Sequence, residues 1–190
     1  MAHYDDDEAL PVTRITAGAV GQPGRRIFIL QAHYGEQVVS WVVEKAQVVS
    51  LSRALPRLLT AVQEEFPELG APMTAAEPHL ALHEPLMPDF RVGSIELDYD
   101  RFHDLVVITL VDAVNEEFDD LADLDNTPVE GIELPVYTTR GQALLLARQA
   151  ETIVSAGRPL CPACGEPIDD FGHFCLPASS LSARGGVLMH

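Results

Sequence analysis

All three cysteines of this chain fall within fifteen residues near its end, in "CPACGEPIDDFGHFC" from Cys161 to Cys175. The spacing is Cys-x2-Cys-x8-His-x-Cys, so Cys161, Cys164, His173 and Cys175 form a Cys3His set. Two cysteines separated by two residues converge on one tetrahedral ion, with Pro162 fixing the turn and Gly165 supplying permissive backbone. Four protein ligands close the coordination sphere and leave no position for water or substrate, which points to a structural Zn2+ site rather than a catalytic one. Two other readings compete with zinc. Thiols beside a chance histidine would do no chemistry. A thioredoxin-like redox pair fits poorly, because such a motif opens a helix after a strand whereas this one follows a helix and a proline. Zinc affinity in small modules is on the order of 10 kcal/mol, so chelation is expected to unfold this segment.

No catalytic constellation is visible elsewhere. "GAVGQPG" (residues 18–24) spaces glycines by three but joins strand to strand, without the strand-to-helix setting that cradles phosphate. His33, His79, His83 and His103 have no partner at metal-ligand or triad spacing and read as surface or satisfied core histidines. "SLS" at Ser50 to Ser52 is mid-helix and lacks a nucleophile elbow.

Twelve Lys and Arg face twenty-nine Asp and Glu, a formal charge of -17. That balance opposes attraction to phosphate and disfavours nucleic-acid and anionic-membrane partners. The acidic runs "DDDE" (Asp5 to Glu8) and "EEFDDLADLD" (Glu116 to Asp125) read as a solvated tail and loop, or as an acidic mimic of nucleic acid. No apolar run approaches the roughly 20 residues that cross a bilayer. The acidic N-terminus is unlike a signal peptide, so a cytoplasmic protein is expected. An odd number of cysteines in a reducing compartment then favours metal ligation over disulfides.

The rest of the chain must position these groups. At 190 residues and 47% hydrophobic content it has the length for one domain with a real core. Residues 12–20 read as a strand. Residues 25–33 and 36–45 read as a hairpin around Tyr34-Gly35. Val39, Trp41 and Val43 alternate with Val38, Ser40 and Val42, predicting a sheet with one well-buried side. Val48, Leu51, Leu55, Leu58, Leu59 and Val62 recur at helical spacing over residues 46–66, with Pro56 predicting a kink or two shorter helices. Five prolines and no sustained period make residues 67–88 a connector, with room for a short helical turn. A second round follows, with strands over 91–100, 103–114 and 132–139. A helix then runs from Thr139-x-x-Gln142, a capping pattern, to a stop at Gly157 and Pro159.

Aligning the helices sets Gln47 on Gln142, Leu51 on Leu146, Arg53 on Arg148 and Leu58 on Ile153. The expected fold is α+β: a mostly antiparallel sheet with two helices on one face, plus a C-terminal zinc knuckle, and the alignment suggests duplicated strand-strand-strand-helix halves. The expected organisation is an acidic disordered tail (1–11), the α+β domain (12–157), the knuckle (158–176) and a flexible tail (177–190).

"TAGAVGQPGRRIFILQA" from Thr16, "VVEKAQV" from Val42 and "GRPLCPACGEPIDDFGHFC" from Gly157 together resemble the DUF3090 family of uncharacterised, mainly actinobacterial proteins. The resemblance covers nearly the whole chain. It implies a cytoplasmic bacterial protein with a C-terminal zinc-ribbon-like motif and no established activity. The matching positions are Gly18, Gly21, Gly24, Arg26, Phe28, Gln31, Glu44, Lys45 and Gln47, besides Cys161, Cys164, His173 and Cys175. After Cys175 the chain departs from the family's pattern, reading "LPASSLSARGGVLMH".

Arg26, Gln31, Glu44, Lys45 and Gln47 lie on the hairpin and at the strand-to-helix junction. They suit a ligand or partner site, and Arg26 with Glu44 suits a structural ion pair across the ladder equally well. Three functions follow: a non-enzymatic adaptor or regulatory partner that works with another protein, a small-ligand binder or enzyme with a polar site on residues 25–47, or an acidic nucleic-acid mimic.

Overall fold

The computed structural model describes residues 9–22, 24–74, 80–113, 132–156, 161–164, 168 and 175. Its six strands are β1 (Arg14–Val20), β2 (Ile27–Tyr34), β3 (Gln37–Val43), β4 (Pro88–Asp100), β5 (Leu105–Asp112) and β6 (Glu133–Thr139). They form one sheet in chain order. Neighbours are antiparallel except β3 and β4, which run parallel with Trp41 opposite Phe90 and Val42 opposite Arg91. Helix α1 (Lys45–Glu65) supplies the crossover that a parallel pair requires, and α2 (Arg140–Ser155) follows β6. The fold is thus α+β with a mostly antiparallel sheet, as the alternation of residues predicted.

Period-2 and period-3.6 apolar patterns meet in one core. Ala17, Leu30 and Trp41 are successive cross-strand partners facing the helices, and Ile108 with Val136 continues that face in the second half. Val48, Leu51, Leu55 and Leu59 of α1 and Ala143, Leu146, Ala147 and Ala150 of α2 close over it, with the helices packed on each other. Each large side chain taken from water contributes roughly 1.5–3 kcal/mol. The core outweighs Pro56. The expected kink or break is absent as a break: α1 is a single helix of 21 residues with Pro56 inside it. Val48 and Leu51 before the proline, and Leu59 and Val62 after it, share one buried stripe, so docking both turns exceeds the cost of one missing amide bond.

The chain order β-β-β-α occurs twice, and the joints match. The N3 residue of each helix is a glutamine that accepts the amide of the capping residue: Glu44 N donates to Gln47 Oε1 at 2.7 Å and Thr139 N to Gln142 Oε1 at 2.9 Å. Each glutamine then reaches the other half with its amide nitrogen. Gln47 Nε2 donates to Val92 O and Gly93 O, both at 3.0 Å, and Gln142 Nε2 to Val12 O at 2.7 Å. The sheet also curls until its ends touch, since Val12 N donates to Tyr137 O of β6 at 2.8 Å.

Beyond a short 3-10 turn at Pro67–Leu69, the connector has two structural tasks. Leu69 and Gly70 offer carbonyls to the Arg140 guanidinium at 3.0 and 2.8 Å, and Asp104 takes the same cation at 2.7 and 3.1 Å. Arg140 stands in the first turn of α2, where the helix dipole disfavours a cation, and the Asp104 carboxylate offsets that. Desolvation pushes the Asp104 carboxyl up, but hydrogen bonds from Arg140 and Tyr99 outweigh it and hold the group below its usual range. Desolvation, then the bond to Asp104, raises the Tyr99 phenol to about 12.

The second task corrects the expectation of a single well-buried side. Thr16, Gln31 and Ser40 are cross-strand partners on the face away from the helices, and all three are buried. Residues 80–87 form a strap across this row. Thr16 Oγ1 donates to Leu80 O at 2.7 Å. Gln31 donates through Nε2 to His83 O at 3.0 Å and accepts His83 N through Oε1 at 2.7 Å, and Pro88 enters the sheet opposite Ser40. A polar row of this kind is stable under cover only because its hydrogen bonds are made.

Two substitutions test these joints by denaturant unfolding. Gln47→Ala removes a helix cap and two cross-half bonds and is expected to cost about 1–3 kcal/mol. A Cβ on Gly141 would strike the Met73 backbone carbonyl, so Gly141→Ala is expected to cost about 1–3 kcal/mol despite its better helix propensity.

Candidate metal centre

Cys161, Cys164 and Cys175 come together. One ligand atom from each lies within 4.8 Å of the others, the only such group of three metal-binding side chains among the described residues. Cys161 Sγ stands 3.6 Å from Cys175 Sγ, far beyond a disulfide bond and near the edge of roughly 3.8 Å that tetrahedral thiolates span at bond lengths of about 2.3 Å. The Cys-Pro-Ala-Cys segment is a turn that places Cys161 in a buried position and Cys164 in a half-buried one. That turn aims backbone amides at sulfur: Ala163 N donates to Cys161 Sγ at 3.4 Å. The amides of Ala163 and Cys164 draw the Cys161 thiol down to about 7, so part of it is thiolate near neutrality. The Cys175 thiol is pushed up, chiefly by its hydrogen bond with Cys161. The fourth expected ligand, His173, lies outside the described residues. Three soft sulfur donors suit zinc or another thiophilic cation and would suit magnesium or calcium badly.

The five polar residues of the hairpin region do not share one surface. Gln31 is fully buried beneath the strap, with Ser40 Oγ as a further partner at 3.0 Å. Gln47 has both amide atoms engaged at the α1 start. Glu44 caps that helix and pairs with Arg91 at 3.8 Å, not with Arg26. Arg91 is the cross-strand partner of Val42, which brings it to the helix start from β4. The ladder accounts for the difference: β2 and β3 pair up to Phe28 and Val43, so Arg26 and Glu44 lie beyond its end. Arg26 is half-buried just before β2 and Lys45 exposed at the start of α1.

The histidines differ from their sequence pattern in two places. His103 Nδ1 lies 2.6 Å from Asp100 Oδ2, a hydrogen-bonded contact within one turn. His33 and His83, fifty residues apart, meet edge to face with ring centroids at 5.8 Å. Sequence spacing carries no signal for that contact, since only the strap brings the two rings together. The Arg140–Asp104–Tyr99 network, buried at Arg140 and half-buried at its partners, was equally invisible, although Arg140 sits inside the recognised Thr139-x-x-Gln142 pattern. His79 and both acidic runs lie outside the described residues. Among the described residues no helix is long and apolar enough to cross a membrane.

No curated protein and no solved structure matches the chain. One family model does, over residues 8–175, and its description is "Protein of unknown function (DUF3090)". The match runs from the lead into β1 to the last cysteine and takes in both halves of the sheet and the thiol cluster, so the chain belongs to the DUF3090 family.

Proposed function

We propose that Cys161, Cys164, His173 and Cys175 bind one structural zinc ion, and that the protein is a non-enzymatic adaptor or regulatory partner built on an α+β body. The converging thiols carry the zinc half of this reading. Amides directed at Cys161 Sγ favour its thiolate, the form that ligates metal. When bound, the ion cross-links the ends of a fifteen-residue segment and so orders it. The adaptor half is supported by what the polar hairpin residues do. Gln31, Glu44 and Gln47 hold the strap, the helix cap and the second half in place, which leaves them unsuited to binding a substrate.

Full-length protein prepared without chelator is expected to carry roughly one zinc per chain by elemental analysis. A value near zero would sink the metal site. Cys164→Ser is expected to release the metal and increase proteolysis beyond Ser155, while the thermal transition of the α+β body stays within a few degrees of the parent. Affinity capture from the native host separates the functional readings. An adaptor retains a stoichiometric protein partner in salt, and the Cys164→Ser chain loses it. An acidic mimic releases its partner as salt rises above about 0.2 M.

A further inference from the structure

Three basic side chains meet at the strap, His83 being an exposed residue of the strap itself. Arg14 and His33 are cross-strand partners on β1 and β2, both half-buried, and His83 arrives from the strap edge to face with His33. Arg14 donates from its guanidinium to Ala81 O of the strap. The buried Nε of Arg14 and Nε2 of His33 have no hydrogen-bond partner among the described residues. The groups facing His33 are Arg14 from β1, His83 from the strap, with Glu84 the next residue along, and the uncharged Val38 opposite it on β3. Among the described residues neither Arg14 nor His33 enters an ion pair with a carboxylate.

We propose that His33 is a proton-operated latch: neutral, it lets residues 80–87 close over the Thr16–Gln31–Ser40 row, and protonated, it drives the strap off. The cause is charge geometry. A proton on His33 places an imidazolium beside a permanent guanidinium in a half-buried site with no facing carboxylate among the described residues, and desolvation and like-charge repulsion then act together. The strap carries a second imidazole, that of His83, into the same place.

Burial, then the charges of Arg14 and His83, hold His33 below the ordinary imidazole value. The sign follows from that direction. With the strap off, the imidazole returns to an ordinary value near 6.5, so the open form binds the proton more tightly. Closure is therefore fully stable above about pH 6.5 and weakens as pH falls toward the lowered value. Opening exposes the buried amide of Gln31, the hydroxyls of Thr16 and Ser40, and Gly18, against whose Cα the Leu82 side chain now lies. The mildly acidic form of the protein thus presents a polar, three-strand surface that the neutral form conceals.

Amide hydrogen exchange of the full chain, followed by NMR between about pH 8 and pH 5.5, tests this. The reporter is the His83 amide, which donates to Gln31 Oε1, and the reference is Leu146 in the core of α2. After correction for intrinsic exchange, His83 protection is expected to fall about tenfold per unit of depression in the His33 value, while Leu146 holds. His33→Gln should keep His83 protected throughout. Gly18→Val, which pushes into Leu82, should leave it unprotected at every pH. If the glutamine variant does not fold, the His33 ring resonance of the parent must titrate over the same interval in which His83 protection is lost. Constant His83 protection, an equal fall in His33→Gln, or Leu146 falling in step would each overturn the latch.

Discussion

The parallel pairing of β3 with β4 is the constraint from which the rest of this structure follows. An antiparallel neighbour needs only a tight turn, but a parallel one requires the chain to leave the sheet and return. It leaves through α1, which at 21 residues travels about 31 Å from the end of β3. Yet β4 begins beside Ser40 to Val42, the very residues it has just left. The chain must therefore return the full length of the helix. On the way it meets the start of α2 at Leu69 to Met73, crosses β1 at Leu80 and β2 at His83, and enters beside β3 at Pro88. One topological demand therefore fixes both the neutralisation of Arg140 and the cover over Gln31.

The same demand explains the two glutamines. Each helix starts at the end of the last strand of its half, where its first turn lies beside the other half, so the third residue is placed to join them. Gln47 does this for the β3–β4 joint, and Gln142 for the point where β6 meets the lead into β1. Glutamine suits the task because its amide offers an acceptor for the cap and a donor for the strand at once. The contacts give the aligned pair a shared physical role, which similarity of two amphipathic helices alone would not have done.

Much of this was legible in the sequence, and what was not has a common cause. Strands and helices announce themselves through periods of 2 and 3.6, and Trp41, Leu51 and Leu146 fall on the faces their spacing indicates. The thiol cluster was readable because its members are local in sequence. The strap was not. Residues 80–87 carry no period because side chains sixty-four and fifty-two residues away hold them, through Thr16 and Gln31. Arg140 and Asp104 are thirty-six residues apart, and nothing local distinguishes that pair from two surface charges. Gln31 shows the problem most plainly: a polar residue in a strand reads as a binding group when its partner is a backbone segment that pattern cannot place. Pro56 shows the converse, a strong local signal overruled by the core on both sides of it.

The meeting of the sheet's two ends bears on how this protein can be gripped. An open edge strand invites another chain to extend the sheet by main-chain pairing. Here the free side of β1 is engaged at Val12 by Tyr137 of β6, and Ala17 O takes the side chain of Gln149 from α2 at 3.3 Å. Strand addition at β1 would first have to displace α2 and separate β6. Extension of the sheet by main-chain pairing therefore cannot begin at β1, where α2 and β6 already occupy the edge.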